Sequence, residues 1–256
     1  MLVHADAELL AQAVADRLAD RLTAAVAASG SASVVLTGGG IGTRVLAELA
    51  RGPARNAIDW SRCDIWWGDE RFLPAGDPER NETGARAALL DHVGVDPDRV
   101  HPMSPSDGPD GDNPEAAAER YAGLLRGAAR PSDHGAVPSF DVLMLGIGPE
   151  GHVASLFPEM PAVHETERMV VAVRDSPKPP PTRLSLTFPA IQAAREVWIL
   201  ASGAEKADAV GLSLSGTADP ARVPAAGARG REQTLFLVDR AAAARLPAEF
   251  GRTSLR

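Results

Sequence analysis

The chain has 256 residues, of which 45% are hydrophobic and 23% charged, with a formal net charge of −8. That is ordinary globular composition with ample material for a core, and its acidic balance excludes sequence-independent nucleic-acid binding, which needs a basic face. MLVHADAELL lacks the basic segment and apolar core of a secretory leader, and no apolar stretch reaches membrane-spanning length. The single cysteine, Cys63, allows neither an intrachain disulfide nor a multi-cysteine zinc site. The expectation is a cytoplasmic protein with neither nucleic acid nor membrane as partner. Lys178 and Lys206 are the only lysines, so generic surface charge is written as Arg and each Lys is a candidate for a specific task.

In chain order, Asp6 to Ala28 carries Leu10, Val14, Leu18, Leu22 and Val26 at helical intervals and predicts an amphipathic helix. Ser33 to Leu36 reads as a strand that ends in Thr37-Gly38-Gly39-Gly40, and a helical segment from Arg44 to Ala50 follows. Strand, glycine loop and helix in that order aim backbone N–H groups and a helix N-terminus at an anion. Asp64 to Trp67 is a second strand, closing in Gly68-Asp69-Glu70-Arg71. Helices are expected from Glu79 to His92, with Asn81 near the start, and from Glu115 to Arg126. Ser104 to Pro114 and Gly127 to Ser139 read as loops.

Val142 to Leu145 is a short, wholly apolar run that stops at Gly146, as a buried strand of a parallel sheet does. Gly146, Gly148 and Gly151 then bracket Glu150 and His152, delivering an acid and an imidazole to a strand tip, where ligands of open α/β sheets lie. Met169 to Val173, Arg183 to Thr187, Glu196 to Leu200 and Thr234 to Val238 are further strands. Pro179 to Pro181, after Lys178, forms a stiff extended loop. Helices from about Gly203 and about Ala241 complete the alternation. The pattern predicts one α/β domain spanning residues 1–256, a Rossmann-like, mostly parallel sheet with helices on both faces.

Four loops would then meet on one sheet edge: Gly38 to Arg44, Gly68 to Arg71, Gly146 to His152, and Lys178 to Arg183. That convergence points to an enzyme. Other motif readings fail. Gly146 to Gly151 matches G-x-G-x-x-G, but Glu150 would sit beside a dinucleotide's pyrophosphate and Pro158 cuts the expected helix short. Thr37 to Gly42 is similar to the nucleotide loop of short-chain dehydrogenases, which also need a Lys four residues after a Tyr; the sole tyrosine, Tyr121, has Leu125 there. No G-x-S-x-G elbow and no H-E-x-x-H motif occurs. Glu70 reads as solvated charge, Trp66 and Trp67, on opposite faces of a strand, as core and cover, and Cys63 as a buried hydrophobe. His4, His92, His101, His134 and His164 receive no role.

Together, G-I-G-P-E-G-H-V-A-S-L-F-P (Gly146 to Pro158), T-G-G-G (Thr37 to Gly40), W-G-D-E-R (Trp67 to Arg71), Asn81, and S-P-K-P-P-P-T-R-L-S-L-T (Ser176 to Thr187) resemble the 6-phosphogluconolactonases. The blocks occur in the family's order over roughly residues 30 to 210. The resemblance implies hydrolysis of 6-phosphoglucono-δ-lactone in the oxidative pentose phosphate pathway. It also implies a fold shared with glucosamine-6-phosphate deaminases and ribose-5-phosphate isomerases, and no metal or organic cofactor. On it, His152, Glu150 and Arg71 are catalytic candidates, and Gly38, Gly39, Gly40, Arg44, Asp69, Asn81, Gly148, Gly151, Lys178 and Arg183 are candidates for holding a phosphorylated sugar lactone. Two departures stand out: the family usually has Asp where Glu150 stands, and its first loop is more polar, with a Lys near Thr43 whose charge Arg44 would replace. A same-fold isomerase or deaminase and a non-catalytic sugar-phosphate sensor are the alternatives, and the oligomer expected is a monomer or small homo-oligomer.

Overall fold

The computed structural model describes residues 1–131, 133, 136–246 and 250; His134 lies outside the described residues. A three-residue strand, β1 (Leu2–His4), opens the chain. Asp6 then caps helix α1 (Ala7–Ser29) by accepting from the Glu8 and Leu9 N–H groups, and Gly30, at φ +79°, ends it. Next come β2 (Ala32–Leu36), α2 (Gly39–Arg51), β3 (Cys63–Trp67), β4 (Asp69–Arg71), α3 (Asn81–Ala88), α4 (Pro114–Ala128) and β5 (Val142–Gly146). The second half carries β6 (Val170–Val173), β7 (Arg183–Leu186), the single turn α5 (Phe188–Ile191), β8 (Glu196–Ala201), α6 (Ala207–Ser213), the short α7 (Pro224–Gly227) and β9 (Gln233–Asp239).

Six strands form one parallel sheet in the order β1-β9-β8-β5-β2-β3. Side chains alternate across it, and the two cores follow from that period of two. Trp66, Leu143, Leu145 and Ile199 pack on the α4 and α6 side, while Trp67, Met144, Trp198 and Leu200 meet α1 and α2 on the other. Trp66 and Trp67 are therefore core on opposite faces, and Cys63 is fully buried with its thiol pushed up to about 12, by burial first and then by Asp59 and Asp64. Among the described residues, no helix is long and apolar enough to cross a membrane.

A second sheet is the main feature absent from the sequence reading. Strands β4, β7 and β6 pair antiparallel, in the order β4-β7-β6. Gly68 joins the two sheets: its N–H donates to Leu36 O of β2, and its carbonyl accepts from the Leu186 N–H of β7. Asp69 to Arg71 is thus a strand of its own rather than a loop at the end of β3, and Lys178 and Arg183 reach the parallel sheet's edge from the antiparallel one. The expected helix from Glu79 to His92 is shorter, breaking at Leu89 (φ −144°) before a 3-10 turn over Leu90–His92. From Arg240 to Arg245 the chain runs in turns instead of the helix expected from about Ala241, because the alanine run between Asp239 and Pro247 is too short to propagate one.

Candidate active site

The turn after β5 brings its acid and imidazole together. The Gly151 N–H donates to Gly148 O and the Gly148 N–H to His152 O, both at 2.9 Å, so residues 148–152 fold back on themselves. His152 Nδ1 lies 2.9 Å from Glu150 Oε1, and the other Glu150 oxygen lies 3.1 Å from Lys178 Nζ. One carboxylate thus spans both partners. The imidazole packs on Phe157, with ring centroids 4.5 Å apart. Burial holds its pKa below the ordinary 6.5; Lys178 adds to that, and Glu150 and Asp69 oppose it. For Glu150, burial pushes upward, but its own backbone hydrogen bond, His152 and Lys178 outweigh burial and leave the carboxyl below its usual range.

Opposite this turn lies the start of α2. The helix begins at Gly39, not at Arg44, so the glycine loop is itself the first helical turn. Glycine's poor helix propensity hides that start in the sequence; close approach explains it. A Cβ on Gly38 would fall 1.8 Å from Asn81 Oδ1, and one on Gly42 would fall 2.5 Å from Thr37 O. No side chain caps this N-terminus and no acid occupies its first turn, so its N–H groups and positive dipole end remain available to an anion.

Between these two loops is a cleft of about 490 Å³. It gathers Gly38, Gly39, Gly40 and Arg44 from α2, Asp69 and Arg71 from β4, and Asn81 from α3. Gly148 and His152 face them, with Lys178 and Arg183 alongside. Glu150 stands behind the imidazole. Gly151 is turned away from the cleft: its carbonyl accepts from the Ala225 N–H and a Cβ on it would point at Val223, 3.0 Å from Cγ1, so it shapes the turn rather than lining the cleft.

Several candidates are already engaged. Asp69 is buried; its Oδ2 accepts from Ser155 Oγ at 2.7 Å and its Oδ1 from Asn81 Nδ2 at 3.2 Å. Arg183 spends Nε and Nη2 on the carbonyls of Pro180, Lys178 and Pro179, clamping the proline loop, while Nη1 stands 4.0 Å from Asp69. Arg71 donates to Glu79 O, and Arg44 is exposed with no hydrogen-bond or ion-pair partner among the described residues.

Three features escaped the sequence reading. Lys206, in the 3-10 turn that follows β8, lines the cleft; burial first, and Lys178 second, lower its pKa. The scarcity of lysine pointed at it, but its place required the fold. Glu70 is 1% exposed, not solvated: Oε1 accepts from the Arg71 and Asn81 N–H groups and Oε2 from the Glu82 N–H. His101 has company outside the cleft, stacked on Trp66 and 3.0 Å from Asp64, an aspartate also bound by Arg99. Among the described residues, no three His, Cys, Asp or Glu side chains converge as a metal's ligand set would.

The family described as glucosamine-6-phosphate isomerases/6-phosphogluconolactonase matches residues 5–237. The chain belongs to this family. A Streptomyces coelicolor protein named 6-phosphogluconolactonase is 62% identical over 247 residues, covering 96% of this chain and 94% of that protein. A protein of the same name from Mycobacterium tuberculosis is 54% identical over 242 residues, covering 94% and 96%. Among solved structures, a Trypanosoma brucei 6-phosphogluconolactonase, 30% identical, superposes with a TM-score of 0.83, covering 96% of this chain and 98% of its own. A monomeric glucosamine-6-phosphate deaminase, 22% identical, has a TM-score of 0.76 and covers 96% and 98%, which shows the shared fold.

Proposed function

We propose that this protein hydrolyses 6-phospho-D-glucono-1,5-lactone to 6-phospho-D-gluconate, a step of the oxidative pentose phosphate pathway. The names of the relatives support the reaction class. The observation that carries the mechanism is the His152–Glu150 pair sharing one cleft with an uncapped helix N-terminus and five cationic side chains. The cleft suits a small anion although the whole chain is acidic, because local charge decides binding.

Glu150 accepts from Nδ1–H and so fixes the tautomer in which Nε2 holds the lone pair. With its pKa lowered, the ring is neutral at pH 7 and serves as a general base. Water gives a proton to Nε2 as its oxygen bonds to the lactone carbonyl carbon. Collapse of the tetrahedral adduct breaks the bond to the ring oxygen, and the imidazolium returns the proton there. Glu150 stabilises that transient cation. A δ-lactone is a reactive ester, so a covalent nucleophile is not required, in keeping with the missing serine elbow. The N–H groups at Gly39 and Gly40, together with Arg44, Lys178 and Lys206, provide the anion site for the phosphate, and Arg71 supports the anionic end of the substrate or the oxyanion.

The test is a lactonase assay on freshly generated lactone, corrected for spontaneous hydrolysis, beside a deaminase assay on glucosamine 6-phosphate. Lactonase turnover without deaminase turnover is expected, and the reverse outcome would sink the reading. In the same assay, Lys206→Ala is expected to raise KM about tenfold with kcat within about twofold, the loss of one charge-assisted contact made alike in ground and transition states. An unchanged KM would move the phosphate elsewhere in the cleft. Lys178→Ala should act on both constants, since Lys178 also holds Glu150.

A further inference from the structure

Glu70 lies behind the cleft wall, out of reach of any substrate, yet its bonds run to two residues of that wall. Its carboxylate joins the end of β4 to the first turn of α3 by accepting the N–H groups of Arg71 at 2.8 Å, Asn81 at 2.6 Å and Glu82 at 2.9 Å. Asn81, so placed, donates from Nδ2 to Asp69 O at 2.9 Å and presses its Oδ1 into the space left free by Gly38, the N-cap of α2. Asp69 in turn holds Ser155 at 2.7 Å, three residues past the imidazole. A single buried acid therefore stands at the root of contacts that run to α2 on one side and to the histidine turn on the other.

We propose that Glu70 is a positioning residue for the lactonase reaction, acting in its ionised form through Asn81 and Arg71 to set the cleft wall against which substrate binds. The proposal rests on the lactonase reading above. The chemistry is one of matching donors with acceptors. Every group at hydrogen-bond distance from the carboxylate is an N–H donor, so it must accept at both oxygens. A proton on either oxygen, or the amide of Gln, sets a donor against a donor, and the first turn of α3 must shift to relieve it.

Other charged and titratable groups surround the carboxylate. Arg80, itself buried, comes within 3.8 Å and also pairs with Glu82 at 3.0 Å. Asp69 and Arg71 flank it on β4, Arg183 faces it from β7, and Tyr121 lies toward it from α4. Burial is the largest influence and pushes Glu70 up to about 7 against Arg80 and the three N–H donors. A carboxyl whose pKa is raised by folding favours the fold when protonated. Its stabilising contribution is complete below the ordinary 4.5 and is lost as pH rises through about 7. Activity should follow the opposite course, because the positioning form is the ionised one. A group that served stability alone would not lose activity in the range where it gains stability.

The experiment measures kcat/KM against pH for the wild type, Glu70→Gln, Asn81→Ala and the double variant, together with thermal unfolding. The wild type is expected to show two ionisations on its acid limb, one below 6.5 from His152 and one near 7 from Glu70. Glu70→Gln should retain only the lower one and lose about tenfold in kcat/KM at pH 8, about the cost of one unsatisfied buried group. The double variant should lose no more than the worse single variant, as expected of residues acting in series. Multiplicative losses, or an unaltered pH profile in Glu70→Gln, would overturn the proposal. Should Glu70→Gln fail to fold, the wild type decides: a single ionisation that follows the His152 ring resonances in NMR would overturn it. A wild type without lactonase activity would instead refute the underlying reaction.

Discussion

His152→Ala is expected to lower kcat by about 10²- to 10⁴-fold, the usual contribution of a positioned general base, while KM changes little. The ring lies at the end of a chain of fixed contacts: the turn at residues 148–152, Glu150 at 2.9 Å, and the face of Phe157. None of these belongs to the proposed phosphate site, so its removal leaves the cationic side of the cleft intact. The substrate is reactive enough to hydrolyse unaided, and the assay therefore needs lactone generated immediately beforehand and subtraction of the uncatalysed rate. The variant should also leave a void of imidazole size beside Glu150, and free imidazole in the medium should restore part of the rate. Turnover like that of the wild type in His152→Ala would remove the proposed base, whatever the fold resembles.

Five of the six strands of the parallel sheet were legible within about two residues because a buried strand in such a sheet is an uninterrupted apolar run bounded by turn residues, whereas the three-residue edge strand β1 (Leu2–His4) carries no such run and was missed. Val142–Gly146 and Glu196–Ala201 are of the legible kind. Of the antiparallel sheet, β6 and β7 were legible as strands, but neither β4 nor the pairing was. Its strand β4 is three residues of Asp, Glu and Arg, which no periodicity marks as a strand, and its pairing with β7 joins segments more than a hundred residues apart. The same limit hid Glu70. An acid becomes a buried acceptor only when another element brings N–H groups to it, and those of Asn81 and Glu82 arrive with α3. Most of the candidate site residues were legible as a group that meets at one cleft, because they sit in glycine-rich turns whose composition is unusual. Gly151 shows where that reasoning overreaches: a left-handed turn position (φ +88°) demands glycine whether or not a ligand is near.

Gly148→Ala is expected to abolish most activity while leaving the fold in place. The residue is not in a left-handed conformation, so the backbone itself tolerates alanine. The obstacle is the His152 ring. An added methyl carbon would fall 1.9 Å from His152 Nδ1, 2.2 Å from Cε1 and 2.8 Å from Glu150 Oε2. The imidazole must leave its rotamer or the turn must open, and either movement breaks the bond that fixes the tautomer. A loss of about 10²-fold or more in kcat is expected, near that of His152→Ala, with a melting temperature within a few degrees of the wild type, since the clash lies in a turn outside the hydrophobic core. Gly127→Ala supplies the control: the same methyl, on an exposed position of α4, meets nothing within 4 Å and should raise stability by about 0.5–1 kcal/mol without affecting turnover. Imidazole in the medium separates the two inactive variants. It should revive His152→Ala, where a space has been vacated, and not Gly148→Ala, where the displaced ring and the new methyl both occupy it. Turnover like that of the wild type in Gly148→Ala would mean that the methyl had been accommodated without moving the histidine, and that the close approach of Gly148 to the ring is not what holds the pair in register.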